Sequence, residues 1–107
     1  MSELDISPED LAARLAQAGA PFLLDVREPD EYAYVHLPGS TLIPLNEIPA
    51  RLGELAKDVP LVAYCHHGVR SRHAALWLRA HGFPEAQSLA GGIEAWSTRV
   101  DPSVPRY

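Results

Sequence analysis

The chain lacks the residues that mark several protein classes. Its 107 residues include one cysteine, Cys65, so no disulfide can form within it, which argues against a secreted, disulfide-stapled scaffold. Only one of the nine basic residues is a lysine, and the formal net charge is −5, which argues against a nucleic-acid partner. No apolar run approaches the roughly 20 residues that span a bilayer. We expect one domain, residues 1–107, with no membrane partner.

The beginning of the chain carries no recognisable targeting signal. It is acidic and lacks the basic start and apolar stretch of a secretion signal. We therefore expect a cytoplasmic protein, in which reducing surroundings keep Cys65 as a free thiol. The hydrophobic content of 47% is typical of a globular domain with a real core.

Short apolar runs alternate with helical patterns along the chain, and this alternation predicts the fold class. Buried strands separated by helices indicate an α/β domain, with a mostly parallel sheet covered by helices on both faces. The first helix has clear start signals, because Ser7 can cap it and Pro8 suits its first position. Strands are predicted over 21–26, 41–44, 60–64 and 87–89, helices over 8–19, 28–34, 46–55, 71–81 and from 92 onward, and a surface strap over 101–107.

The strand 60–64 leads directly into Cys65. In parallel α/β sheets, ligands bind beyond the carboxyl ends of the strands, so Cys65 lies where a site is expected. The loop that follows, up to Ser71, is short and must curl. Curling turns successive backbone N–H groups inward and forms an anion-binding nest beside a helix N-terminus. Gly68 permits a positive φ and a close approach of the backbone.

Such a nest favours a thiolate over a thiol at Cys65, and the thiolate is the reactive form. The same N–H groups suit the anionic terminal sulfur of a persulfide. A cysteine after a buried strand is also often an inert core residue. The presence of Gly68 and Arg70 in the loop favours a reactive cysteine in an electropositive, partly exposed site instead.

Two other groups of polar residues have alternative interpretations. Among the five histidines, His66 and His67 are adjacent and are expected to diverge and tune the local charge rather than to chelate a metal together. The cluster between 25 and 31 can supply paired carboxylates for acid–base chemistry. Caps and ion pairs that hold the loop are the stronger interpretation of that cluster. Its members are Asp25, Arg27, Glu28, Asp30 and Glu31.

Several segments of the chain resemble the signatures of the rhodanese family. Residues 24–32 and 36–40 are similar to its N-terminal signature, and residues 65–71 to its active-site loop. Residues 83–84 and 89–96 are similar to its C-terminal signature. The resemblance implies a single α/β domain around a central five-stranded, mainly parallel sheet. It also implies a shallow, open substrate pocket.

The resemblance also implies a chemistry. Cys65 is the nucleophile that accepts a sulfur atom from thiosulfate or a related donor, and its persulfide then yields that atom to cyanide or to a thiol. Arg70 assists the anionic substrate as a second catalytic residue. No metal or organic cofactor is implied. The substrate-binding cradle is expected from His66, His67, Gly68, Val69 and Arg70.

Two other functions remain open. A cysteine phosphatase would, by the same resemblance, need five residues between its cysteine and arginine, whereas Cys65 and Arg70 enclose four and position 71 is Ser71. A rhodanese-like module without catalysis is the other alternative, and the presence of Cys65 argues against it. The tail 101–107 is similar to tails of rhodanese domains attached to sulfur-carrier-activating enzymes, which implies a protein as the sulfur acceptor.

Overall fold

A computed structural model describes residues 3–107, so residues 1 and 2 of the predicted domain lie outside the described residues. Five strands form one sheet, in the order β1-β5-β4-β2-β3, and every pair is parallel. The α/β prediction is confirmed, and the sheet is parallel throughout its five strands. The strands are β1 (Asp5–Ile6), β2 (Phe22–Asp25), β3 (Thr41–Leu42), β4 (Leu61–Tyr64) and β5 (Gln87–Leu89).

Four helices connect these strands or follow them. Their bounds are α1 (Pro8–Leu15), α2 (Pro29–Tyr34), α3 (Val69–Ala80) and α4 (Gly92–Arg99), and two short 3-10 helices span Leu45–Glu47 and Leu52–Glu54. Across residues 3–107, no helix has the length and apolar character needed to cross a membrane.

Both faces of the sheet are covered, as predicted. Side chains alternate along β4 because successive residues of a strand point to opposite faces. Ala63 and Cys65 join the core that packs against α3. Val62 and Tyr64 join the core on the opposite face, together with apolar side chains from α1 and α4. The side chain of Cys65 therefore lies on the α3 face of the sheet.

The predicted start of α1 is confirmed, whereas its predicted end is wrong. Ser7 Oγ accepts a hydrogen bond from the backbone N–H of Asp10 at 3.1 Å. The helix ends at Leu15, well before Gly19. Residues 16–20 are all exposed, so a longer helix would bury no further apolar face. Gly19, at φ +77°, belongs instead to the turn that leads into β2.

The helix predicted over 46–55 is also wrong, since the two 3-10 helices occupy that region. Pro49 has no N–H to donate within a helix, and Gly53 lowers the helical propensity further. The burial of Ile48 and Leu55 is nevertheless as predicted. Strand β1 was not predicted from the sequence. Its two residues are too few to show an alternating pattern, and its pairing with β5 defines it.

Candidate active site

Cys65 immediately follows β4, the central strand of the sheet. Its side chain is only 1% exposed. The expectation of a partly exposed cysteine is therefore wrong. The reason is the direction of the side chain, which lies within the apolar core on the α3 face.

Backbone N–H groups do point at the sulfur, as the short loop predicts. The Cys65 Sγ atom accepts hydrogen bonds from the N–H of Gly68 at 3.1 Å and from that of Ser71 at 3.4 Å. Gly68 has φ +102° and immediately precedes α3. This geometry starts α3 at Val69, two residues before the predicted start. Ser71 was not among the predicted binding residues, although it supplies one of the two amides.

The other N–H groups of the loop have no hydrogen-bond partner in the described chain. Within residues 3–107, no acceptor receives a hydrogen bond from the backbone N–H of His66, His67, Val69 or Arg70. Peptide N–H groups without an internal partner attract anions. The loop thus combines two amides on the sulfur with four that have no partner in the described chain.

The carbonyl groups at the start of the loop are fixed by the beginning of α4. The N–H groups of Ile93 and Glu94 donate to the carbonyl oxygens of Cys65 at 2.8 Å and of His66 at 3.1 Å. Gly92 makes this approach possible, since a Cβ atom there would lie 2.3 Å from the His66 oxygen. Sequence reasoning placed Gly92 only at the start of a helix. The consecutive glycines at 91 and 92 were the available signal of a close backbone approach.

A pair of buried hydroxyl groups lies behind the sulfur. The thiol of Cys65 donates to Ser71 Oγ, with 3.5 Å between the sulfur and the oxygen. Ser71 Oγ also forms a hydrogen bond of 2.7 Å with Ser88 Oγ on β5. Both serines are fully buried. They bring polar groups to the inner wall of a site that otherwise borders the apolar core.

Arg70 lies near the sulfur but is held by a carboxylate. Its two terminal nitrogens donate to the two oxygens of Glu31, at 2.7 and 3.0 Å. These bonds raise the pKa of Arg70, and the negative charge of Glu31 raises it further. Arg70 therefore remains a cation beside the sulfur. The prediction that the cluster at 25–31 forms ion pairs is confirmed, although the partnership of Glu31 with Arg70 was not foreseen.

Tyr107 belongs to the rim of the site, beyond the surface role predicted for 101–107. Its hydroxyl accepts from Arg27 at 2.8 Å and donates to Glu31 at 2.7 Å. Its ring stacks on that of His66, with centroids 3.8 Å apart. The tail is also anchored by Val104, which is buried.

The prediction that His66 and His67 diverge is wrong, because their rings stack with centroids 3.9 Å apart. Burial lowers the pKa of His66, and the adjacent His67 lowers it further. His67 and Val69 are exposed, so the predicted binding residues are spread from the rim to the surface. In the described part of the chain, no three His, Cys, Asp or Glu side chains are grouped so as to hold a metal ion.

Asp25, Arg27 and Glu28, from the cluster at 25–31, have structural roles. The carboxylate of Asp25 and the guanidinium of Arg27 form a fully buried ion pair at 2.6 Å. Glu28 and Glu31 form a capping box at the start of α2. This box fixes the backbone that carries Glu31 toward Arg70.

Comparisons with known proteins agree with this geometry. A family model described as "Rhodanese-like domain" matches residues 7–99. A protein named "Sulfurtransferase" from Allochromatium vinosum is 37% identical over 100 residues, covering 94% of each chain. "Thiosulfate sulfurtransferase GlpE" of Pseudomonas fluorescens is 38% identical over 96 residues, covering 90% of this chain and 87% of that protein.

A solved structure extends the agreement to the whole fold. The crystal structure of a rhodanese-related protein from Thermoplasma volcanium superposes with a TM-score of 0.85 at 30% identity, covering 98% of this chain and all of that one. Family model, sequence relatives and structure thus agree over nearly the whole chain. The chain belongs to the rhodanese-like family and is a sulfurtransferase of that family.

Proposed function

We propose that the protein moves a sulfane sulfur from thiosulfate or a related donor, through a persulfide on Cys65, to cyanide or a thiol acceptor. One observation carries the proposal. The Sγ atom of Cys65 accepts two backbone N–H groups, in a loop whose other N–H groups have no partner in residues 3–107. Such a site stabilises a sulfur anion both before and after an atom is added.

In the first half-reaction, the Cys65 thiolate attacks the outer sulfur of thiosulfate. A new sulfur–sulfur bond forms at Cys65, the sulfur–sulfur bond of thiosulfate breaks, and sulfite leaves with the bonding electron pair. Negative charge moves onto the terminal sulfur of the persulfide, where the free N–H groups of the loop are available. This is nucleophilic covalent catalysis with two displacements.

In the second half-reaction, an outside nucleophile attacks the terminal sulfur and the Cys65 thiolate is released with the electron pair. Cyanide becomes thiocyanate, and a thiol becomes a persulfide. A thiol of a small molecule or of a partner protein is the acceptor in a cell. A reducing cytoplasm, which keeps Cys65 and such acceptors as thiols, suits this cycle.

The burial of Cys65 adds a requirement to this mechanism. With Cys65 only 1% exposed, a donor atom can contact the sulfur only after the atoms that cover it move. Arg70 and Glu31 are partly exposed side chains joined by an ion pair, and the ring of His66 stacks on that of Tyr107. Such contacts exchange far more readily than the backbone of the loop. We infer that this rim opens to admit the donor, while the amides around the sulfur stay fixed.

Roles follow for the remaining loop residues. Arg70 supplies a permanent positive charge for the anionic donor and for the departing sulfite. Residues 66–70 provide the N–H groups that hold the persulfide, and Gly68 allows the required turn. The name of the GlpE relative supports thiosulfate as a donor.

The phosphatase alternative fits the loop less well. The ring from Cys65 to Arg70 has four intervening residues, and both terminal nitrogens of Arg70 face a carboxylate. A short amide-lined ring fits a single sulfur atom better than a phosphoryl group with its oxygens. Turnover of an aryl phosphate faster than thiosulfate would reverse this preference.

The test is mass spectrometry of the protein after exposure to thiosulfate. We expect one added sulfur atom on the peptide that contains Cys65, and thiocyanate on addition of cyanide. The Cys65→Ser variant, which keeps the size of the side chain, should show neither. Equal thiocyanate from both proteins would contradict the proposal and favour a module that does not catalyse.

A further inference from the structure

The guanidinium of Arg70, a cation of the site, is already paired with a carboxylate of the same chain. Arg70 and Glu31 meet in a two-bond pair, the geometry with which an arginine binds a carboxylate or another planar anion. Glu31 therefore occupies the position on Arg70 that the charged end of an anionic donor needs. An anionic donor must displace Glu31 or bind beside its negative charge.

Glu31 is also fixed in its ionised form. Its Oε1 atom accepts from the N–H of Glu28 at 3.1 Å, and its Oε2 atom accepts from the hydroxyl of Tyr107 at 2.7 Å. With the two bonds from Arg70, the carboxylate has four donors. These contacts, led by those from Arg70, lower the pKa of Glu31 to about 2. Its negative charge is thus present at every pH at which the protein would work.

We propose that Glu31 selects the sulfur donor, because its carboxylate occupies Arg70 and disfavours each donor in proportion to that donor's negative charge. The inference rests on the proposed sulfurtransferase function and adds a class of substrate. The preferred donors carry sulfane sulfur on a group with little or no net negative charge, and thiosulfate is a weaker donor than these for this chain.

Three donors that react in the same way but differ in net charge can separate the effect of donor charge from that of donor reactivity. Thiosulfate carries two negative charges, methanethiosulfonate carries one, and 2-aminoethanethiosulfonate is neutral overall because of its ammonium group. In each case the Cys65 thiolate attacks the outer sulfur and one sulfur–sulfur bond replaces another. Sulfite leaves with the electron pair from the first donor, and a sulfinate leaves from the other two.

The experiment measures kcat/KM for each donor with the wild type and with Glu31→Gln, which removes the charge and keeps the shape. We expect a gain of about tenfold with thiosulfate and about threefold with methanethiosulfonate, and no gain with the neutral donor. Glu31→Asp keeps the charge and should retain the discrimination of the wild type.

The matched control is Glu9→Gln. Glu9 also binds an arginine through both oxygens, with Arg99 at 2.9 and 2.7 Å, but the pair is exposed and joins α1 to α4 away from the sulfur. This variant should leave all three values unchanged. A circular dichroism melt of each variant confirms that it is folded under the assay conditions.

The outcomes distinguish the two proposals. If Glu31 only holds Arg70 in place, Glu31→Gln lowers kcat/KM for thiosulfate or changes kcat/KM by the same factor for all three donors. Either result overturns the inference. A loss of discrimination in Glu31→Asp also overturns it. If none of the donors adds sulfur to Cys65 in the wild type, the proposed function itself fails.

Discussion

The two sides of the Cys65 loop are built from different interactions. On the inner side, two backbone N–H groups contact the sulfur, while α4 fixes the loop carbonyls through Ile93 and Glu94. On the outer side, the rim consists of the Arg70–Glu31 pair and the stacked rings of His66 and Tyr107. The inner side is buried, and the rim is partly exposed.

The two sides are suited to different tasks, the stabilisation of a sulfur anion and the selection of its donor. Backbone contacts in a buried site cannot be changed without altering the fold, so they suit the stabilisation of a sulfur anion. Side-chain pairs at a surface contribute little to stability and rearrange readily. They suit the choice and admission of a donor. Changes to the inner side should therefore affect folding and chemistry together, and changes to the rim should affect the use of the donor with only a small effect on stability.

The largest effect is expected from Gly92→Ala. The new Cβ atom would lie 2.3 Å from the His66 oxygen and 2.5 Å from the Cys65 oxygen, at a residue with φ +64°. We expect a loss of roughly 3 kcal/mol or more in the free energy of unfolding, measured by urea denaturation, because backbone atoms must shift. Persulfide formation at Cys65 should fall with it.

Gly19→Ala is the matched control for that experiment. Gly19 has a similar φ of +77° but no atom within 4 Å of an added Cβ. Only the cost of the left-handed conformation applies there, about 1 kcal/mol. Equal losses in the two variants would show that the contact between α4 and the loop has no special importance.

A smaller effect, confined to the donor, is expected from Arg70→Ala. We expect kcat/KM with thiosulfate to fall by about tenfold to a hundredfold, because the positive charge that Arg70 holds beside the sulfur is lost. The free energy of unfolding should change by no more than about 1 kcal/mol, since the pair is partly exposed. Arg99→Ala, which breaks the exposed pair with Glu9, should leave the kinetics unchanged. An unaltered thiosulfate rate in Arg70→Ala would remove Arg70 from the mechanism.

The smallest effect concerns stability in acid. Because the pKa of Glu31 is lowered to about 2 in the folded protein, its ionised form stabilises the fold above its ordinary pKa. That stabilisation is lost as the pH falls from the ordinary value of 4.5 toward 2. The difference between wild type and Glu31→Gln should be on the order of 1 kcal/mol at pH 6, allowing for solvent screening, and should shrink toward zero near pH 2. Urea titrations at several pH values measure it, and a difference independent of pH would show that the charge of Glu31 is unimportant.

The sequence predicts the inner side of this site better than the rim. An apolar strand that ends in Cys65, followed by a short loop with a glycine, is a local pattern, and local geometry turns its amides toward the sulfur. The contact of Arg70 with Glu31 spans 39 residues, and that of Tyr107 with Glu31 spans 76. Such pairs depend on how distant elements pack against each other. The spacing of residues along the sequence does not reveal this packing.

The burial of Cys65 and the short strand β1 were missed for related reasons. Exposure of a side chain at a strand end depends on the elements that surround it, here the core on the α3 face. A two-residue strand exists only through its pairing with β5. The overall α/β architecture was predictable because apolar runs and helix caps repeat along the whole chain.

The burial of the only cysteine has a consequence for the lifetime of a loaded protein. A sulfur atom held at position 65 has no second thiol in the 107-residue chain with which to form an internal disulfide. In the proposed cycle, discharge therefore depends on a nucleophile from outside these 107 residues, which passes the same rim as the donor. The loaded form is thus suited to persist after its donor is exhausted and to deliver its cargo only on contact with a recipient.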